Sequence, residues 1–333
     1  MSSRSIRVYS VNDAPWNDDD DDDSSSSSED DAGRARSLSL SPSMASTNSS
    51  SARAVFSSSS RARTVDVRPD VPSSHRHRLA KRVTFVRHAE GYHNLRSALT
   101  FDTTYNSSIN FDARLTPRGE GQCATLARNG EEWRDVALVA TSPMTRCVQT
   151  SLLAFPELVT RARRGEVAFV ANEDLRETAN YWCDRRRETE ELTREFGDVV
   201  DFSRCPASDD LWARYEAIAG PPDRWTKHRE SCDLYYVAER TRSFFEWLAT
   251  RPEENVVVST HSALLRCLFS YGHPGGVRAA PEQIFDSGGV KDTSKGVPVV
   301  NYCGDAAFEA KMRADFDNCE TRTCVVDLSP LVA

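Results

Sequence analysis

No apolar run in the 333-residue chain approaches the roughly 20 residues a bilayer-spanning helix requires, so no membrane span is expected. The nine cysteines are an odd number, scattered from Cys123 to Cys324 without a CxxC pair or a matching histidine spacing. That excludes a disulfide scaffold and a structural zinc site, and it fits a reducing compartment, the cytoplasm. Neither GxGxxG nor GxxxxGK[ST] occurs, which leaves dinucleotide and P-loop sites without support. Excess positive charge is missing too: the net charge of −8 argues against broad nucleic-acid binding, although a local basic pocket can still hold a small anion. No internal repeat of fixed period is present.

Residues 1–78 carry the acidic run Asp18 to Asp23 and serine runs at Ser24–Ser28 and Ser57–Ser60, with almost no periodic apolar pattern. Such a segment cannot bury enough surface to offset the entropy of ordering it, and a disordered, solvated tail is expected. The SSSSSEDD stretch presents serines suited to phosphorylation beside acids. From Met44 to Val65 serine and arginine occur with no acid, as in an organelle transit peptide, so import from an internal start at Met44 is the alternative to a cytoplasmic protein.

From residue 79 to 333 short β-branched runs (KRVTFVRH, VALVATS, EVAFVANE, NVVVSTH, GVPVVNY, TCVVDL) alternate with helical patterns, which reads as one α/β domain. Thr116-Pro117 with Glu120 opens one helix, Ser142-Pro143 a second, and Ser231 to Thr250 carries the apolar stripe of a long third. In open α/β sheets ligands sit beyond the carboxyl ends of the strands, so the residues following each run are the place to look. Arg87 and His88 follow the first, Arg146 lies one turn beyond Ser142-Pro143, Arg176 and Glu177 come after VAFVANEDL, and His261 follows NVVVST. Only seven histidines exist, and two directly follow the two clearest strands. Arg146 early in a helix opposes the macrodipole and needs an anionic partner, which the backbone N–H groups of the same helix start would also serve. Two imidazoles, the Arg87 and Arg146 guanidiniums and a carboxylate on one rim describe a phosphate site.

VRHAEGYHN, FDARLTPRGEGQ, ATSPMTRCVQT, EDLRE and VVVSTHSALLR, in that order over residues 82–328, resemble the histidine phosphatase superfamily, and FDNCETR resembles a block of its eukaryotic members. The resemblance implies the phosphoglycerate mutase-like three-layer α/β/α fold with a mainly parallel central sheet. It implies that His88 is the nucleophile and passes through a phosphohistidine, and that Arg87, Asn94, Arg146 and His261 bind phosphate. Glu177 would be the proton donor, with Glu173 and Asp174 crowding the same segment. A protonated His261 would add positive charge. No cofactor and no metal are implied, and the partner is a small phosphorylated substrate.

Ala89 stands where a glycine is usual after the first histidine, and Ser262 and Ala263 replace paired glycines after the second. The stretch ETANYWCDRRR replaces the ERHYG-type clamp of the mutases and resembles the PCD segment of broad-specificity phosphatases, with Trp182 for proline. A metal-independent phosphomonoester hydrolase is therefore expected; mutase-type phosphotransfer and a silent phospho-ligand-binding scaffold are the alternatives. Tyr92 at the pocket mouth, and Arg185 and Arg186 (with Arg187 beside them), are candidates for contacting the rest of a substrate.

Overall fold

The computed structural model describes residues 64–69, 79–95, 105, 107–220, 230, 234–276 and 297–332, all within one unit, Arg61–Ala333. The expectations for residues 1–63, including the acidic run and the Met44 segment, lie outside these. The strands are β1 Val65–Arg68, β2 Ala80–Arg87, β3 Leu138–Thr141, β4 Ala168–Asn172, β5 Asp201–Arg204, β6 Asn255–Thr260, β7 Val300–Asn301 and β8 Thr321–Asp327. The helices are α1 Pro117–Leu126, α2 Thr145–Ala154, α3 Pro156–Ala162, α4 Thr189–Phe196, α5 Asp210–Ala219, α6 Leu234–Ala249, α7 Ser262–Ser270, α8 Ala306–Arg313 and α9 Ser329–Val332.

The strands form one sheet in the order β5-β4-β3-β6-β2-β8-β1-β7, in which only β8 runs antiparallel to its neighbours. Helices cover it as the outer layers of a three-layer α/β/α fold. The central strands are buried along nearly their whole length, as a parallel sheet under crossover helices requires: Val83, Phe85, Val139, Val257 and Val258 are fully buried. Each such side chain contributes about 1.5–3 kcal/mol. Register fixes the rim. Arg87 pairs with Thr260 and Thr141 with Ser259, so the chain leaves β2, β6 and β3 at one level. The bonds His88 N–H to the Thr260 carbonyl and Ser142 N–H to the Ser259 carbonyl, both 2.9 Å, continue that level beyond the strands.

Three details depart from the sequence expectation. Val65–Arg68 lies in the stretch assigned to the tail, yet it pairs with β7 and β8, so folded structure starts before residue 79; four residues flanked by serine and arginine are too short to announce themselves. β5 was not anticipated because it is an edge strand burying only Phe202 among four residues. Ser142-Pro143 does not open a helix: Met144 is the N-cap, in extended backbone, and α2 begins at Thr145. Ser142 is left to face the rim.

The loop after β2 is pressed against the start of α1. Thr116 caps that helix by accepting from the Gly119 N–H at 3.0 Å, while its own N–H donates to the Glu90 carbonyl at 2.9 Å. A Cβ on Gly119 would sit 2.1 Å from that carbonyl oxygen, whereas one on Gly121 would meet nothing within 4 Å. Gly119→Ala should therefore lower stability by about 1–3 kcal/mol, the cost of overpacking, and Gly121→Ala should raise it by roughly 0.5–1 kcal/mol through helix propensity. Urea denaturation of the two variants checks both signs.

Candidate active site

The rim brings His88, His261 and Arg146 together, each at most 2% exposed. The His88 and His261 ring centroids are 5.1 Å apart. The His88 Nδ1 lies 2.7 Å from the Ala89 carbonyl, which can only accept, so Nδ1 carries the proton and Nε2 keeps the lone pair. Burial, then the charges of Arg146 and Arg87, holds the imidazolium form well below its ordinary range. The result is a neutral imidazole with a free nucleophilic nitrogen. Its turn is fixed from behind: Ala89 N–H donates to Thr150 Oγ1 at 3.0 Å, and Asn318 Nδ2 donates to the His88 carbonyl at 3.0 Å. Cys319 N–H donates to the Arg87 carbonyl at 3.0 Å, so the FDNCETR segment clasps the turn at His88.

Arg146 stands at the second residue of α2, and its guanidinium is anchored on three sides. Nε donates to His261 Nδ1 at 3.2 Å, Nη1 to the Cys183 carbonyl at 2.6 Å, and Nη2 to Asp184 Oδ1 at 3.3 Å. Because Arg146 can only donate, His261 Nδ1 accepts. Nε2 then carries the proton, and Ser142 Oγ accepts it at 2.8 Å. His261 is thus neutral rather than protonated, its pKa pushed well down by burial and then by Arg146. Both its ring nitrogens are engaged, Nδ1 by Arg146 and Nε2 by Ser142. Arg87 donates through Nη1 to the Phe316 carbonyl at 2.6 Å and keeps a buried Nε without a partner among the described residues.

The three crowded acids separate. Glu173 is held by Arg176 at 2.8 Å and Arg186 at 3.0 Å. Asp174 accepts from Ser243 Oγ at 2.9 Å and is pushed up by burial. Only Glu177 reaches the rim, where its carboxylate accepts the Ala263 and Leu264 N–H groups of α7, both at 3.1 Å, directly after His261. Asn94 sits beside the site without pointing a free amide at it. Its Oδ1 closes the turn from Gly91 N–H at 3.1 Å, and its Nδ2 donates to the Tyr105 hydroxyl at 3.1 Å.

The substrate-contact expectations fare less well. Arg186 is a correction: it is 1% exposed and spent on Glu173 and on the carbonyls of Arg187, Pro206 and Ser208. Arg187 is tied to Asp112 at 3.0 Å and Glu195 at 2.8 Å. Arg176, the arginine of the EDLRE motif, is buried on Glu173 and Asp209. Three consecutive arginines alternate between interior and surface, and spacing alone does not reveal which carbonyls await them. Arg185 is half-buried between Phe111 and Trp182, 5.8 and 5.4 Å from the ring centroids. Tyr92 is exposed in a cleft of about 650 Å³ with Leu95, Ile109 and Phe111, whose lining does not include His88 or His261. No group of three or more His, Cys, Asp or Glu side chains among the described residues is arranged to hold a metal ion.

Sequence reasoning missed Asp184. Its carboxylate accepts the N–H groups of Asn180 at 3.2 Å and Tyr181 at 3.0 Å besides Arg146. Burial pushes its pKa up to about 7 against the opposing pull of Arg146. The folded chain therefore holds a proton that the unfolded chain releases near the ordinary carboxylate value of about 4. That contribution to stability is complete below the lower value and is lost as pH rises through the upper one. Relative to Asp184→Asn, the stability of the natural protein should fall between pH 5 and pH 8. Urea midpoints across that range check it; a constant difference would mean that Asp184 is ionised throughout.

The profile of the Histidine phosphatase superfamily (branch 1) matches residues 83–284. A phosphoglycerate mutase-like protein of Arabidopsis thaliana is 33% identical over 216 residues, 57% of this chain and 74% of that protein. Among solved structures, the ecdysone phosphate phosphatase of Bombix mori in complex with tungstate aligns over 73% of this chain and 88% of its own, with 15% identity and a TM-score of 0.39. A phosphoglycerate mutase from Bacillus anthracis aligns over 57% of this chain and 78% of its own, with 14% identity and a TM-score of 0.33.

Proposed function

The chain belongs to the histidine phosphatase superfamily, and on that premise we propose that it is a phosphomonoester hydrolase working through a phosphohistidine on His88, without a metal. The observation that carries this reading is the hydrogen bond from His88 Nδ1 to the Ala89 carbonyl, which leaves Nε2 as a nucleophile beside a buried guanidinium. In the first half-reaction Nε2 attacks phosphorus, the bond from phosphorus to the ester oxygen breaks, and Glu177 gives a proton to the departing alkoxide. In the second, water attacks the phosphohistidine, Glu177 takes its proton, and the P–N bond breaks to return His88. Arg87 and Arg146 spread their N–H groups over the equatorial oxygens, where charge gathers in a loose transition state. His261 contributes the dipole of an N–H shared with Ser142. Asn94 acts one step back, through Tyr105 and the turn it closes.

The name of the Arabidopsis thaliana relative favours a second reading, phosphotransfer between positions of a small phosphorylated acid. That reaction needs a bisphosphate primer to keep His88 phosphorylated and a second anion clamp. Arg186, one of the cations offered by sequence for such a clamp, is buried elsewhere, which favours hydrolysis.

The purified protein should release inorganic phosphate from p-nitrophenyl phosphate with no primer present. His88→Ala should abolish release with an unchanged far-ultraviolet spectrum, and Glu177→Gln should slow it by roughly 10² to 10⁴ with esters of poor leaving groups. Unchanged turnover in His88→Ala would leave the scaffold reading; interconversion only with primer would establish the mutase.

A further inference from the structure

One imidazole at the rim has no place in the mechanism above. His93, five residues after the nucleophile, is 3% exposed, and its ring centroid lies 5.3 Å from that of His88. Neither ring nitrogen makes a hydrogen bond with any described residue, and Nδ1 is buried without a partner. A buried polar group left unpaired is unfavourable, and a phenylalanine would fill the same space at no such cost. Other unpaired nitrogens occur in the interior, at Trp133 and Asn172 for example, so absence of a partner does not by itself mark a site. The company does. Burial disfavours protonation of His93, and Arg146, His88 and Arg87 all act electrostatically on it in the same direction. Arg87 Nε is a second buried donor without a partner in the same group.

The ring is also held in place. Tyr105 packs edge-on against it at 5.4 Å and is itself anchored by Asn94 Nδ2 at 3.1 Å. On the other side a Cβ at Gly91 would lie 2.8 Å from both Nδ1 and Cε1 of His93, so only a glycine admits the ring in this position. A neutral imidazole, fixed by packing and without an acceptor among the described residues, beside two guanidiniums and the nucleophile, is a preorganised donor for an oxyanion.

Resting on the phosphatase reading, we propose that His93 is a third histidine of the phosphoryl pocket, donating a ring N–H to an oxygen of the bound phosphoryl group. It is then a binding residue whose contact strengthens as charge builds on that oxygen. His93→Phe keeps the ring against His88, Tyr105 and Gly91 and removes only the N–H; His93→Gln restores a donor. In the full chain, His93→Phe should lower kcat/KM for p-nitrophenyl phosphate roughly 10²-fold and weaken inhibition by inorganic phosphate at least about tenfold, with a melting temperature no lower than that of the natural protein. His93→Gln should recover part of both losses. His93→Phe with natural turnover and natural phosphate inhibition overturns the proposal.

A measurement on the natural protein does not depend on either variant folding. In nuclear magnetic resonance of the ¹⁵N-labelled chain, saturating inorganic phosphate should move a ring nitrogen of His93 together with those of His88. Movement of His88 alone contradicts the proposal. If the natural protein turned over no monoester, the phosphatase reading would fail by itself, and the phosphate titration of the His93 nitrogens would still decide the role of that ring.

Discussion

A positive charge buried to 1% exposure is what the rim is organised around. Arg146 cannot shed its proton, so taking it out of water must be offset by partners on every side. Those partners come from separate parts of the chain: His261 after β6, the Cys183 carbonyl, and Asp184, whose other oxygen ties down the turn at Asn180 and Tyr181. Satisfying one guanidinium therefore fixes the tautomer of His261, the path of residues 180–184 and the level at which α2 starts. Removing a partner would leave an uncompensated charge in the interior, which is why the arrangement has few alternatives.

The same buried charge bears on the state of His88. Burial, then Arg146 and Arg87, disfavours an imidazolium at His88, and the Ala89 carbonyl accepts the Nδ1 hydrogen bond, so Nε2 keeps its lone pair without a separate base. On the proposed reading, the cost of enclosing two cations and three neutral imidazoles is offset when a phosphate dianion enters. Glu177 is held at the helix start that follows His261, and on the proposed reading a departing alkoxide meets it there.

Much of this was legible from the sequence for a definite reason: strand register places the residues after β2, β3 and β6 at one level, so position in the chain reported position in space for Arg87, His88 and His261. The central sheet was legible because buried parallel strands are continuous β-branched runs, as in NVVVST. Residues whose role depends on what faces them were not. Arg186 looks like a surface cation until the Pro206 and Ser208 carbonyls close around it. Asp184 looks like a helix-start acid until Arg146 arrives, 38 residues away in sequence. Ser142 was read as a cap and turns out to orient His261. His93, the second histidine of HAEGYHN, is buried while its neighbour Tyr92 is exposed, a difference that adjacency in the motif does not reveal.

The central claim is that the free nitrogen of a neutral, buried His88 becomes bonded to phosphorus. Rapid acid-free quenching during turnover of a ³²P-labelled monoester, followed by peptide mapping, reads this directly. An acid-labile, alkali-stable label on the peptide containing residue 88, absent in denatured protein, is the predicted result. Steady phosphate release with no label on that peptide, or with the label on a serine or cysteine, would contradict it.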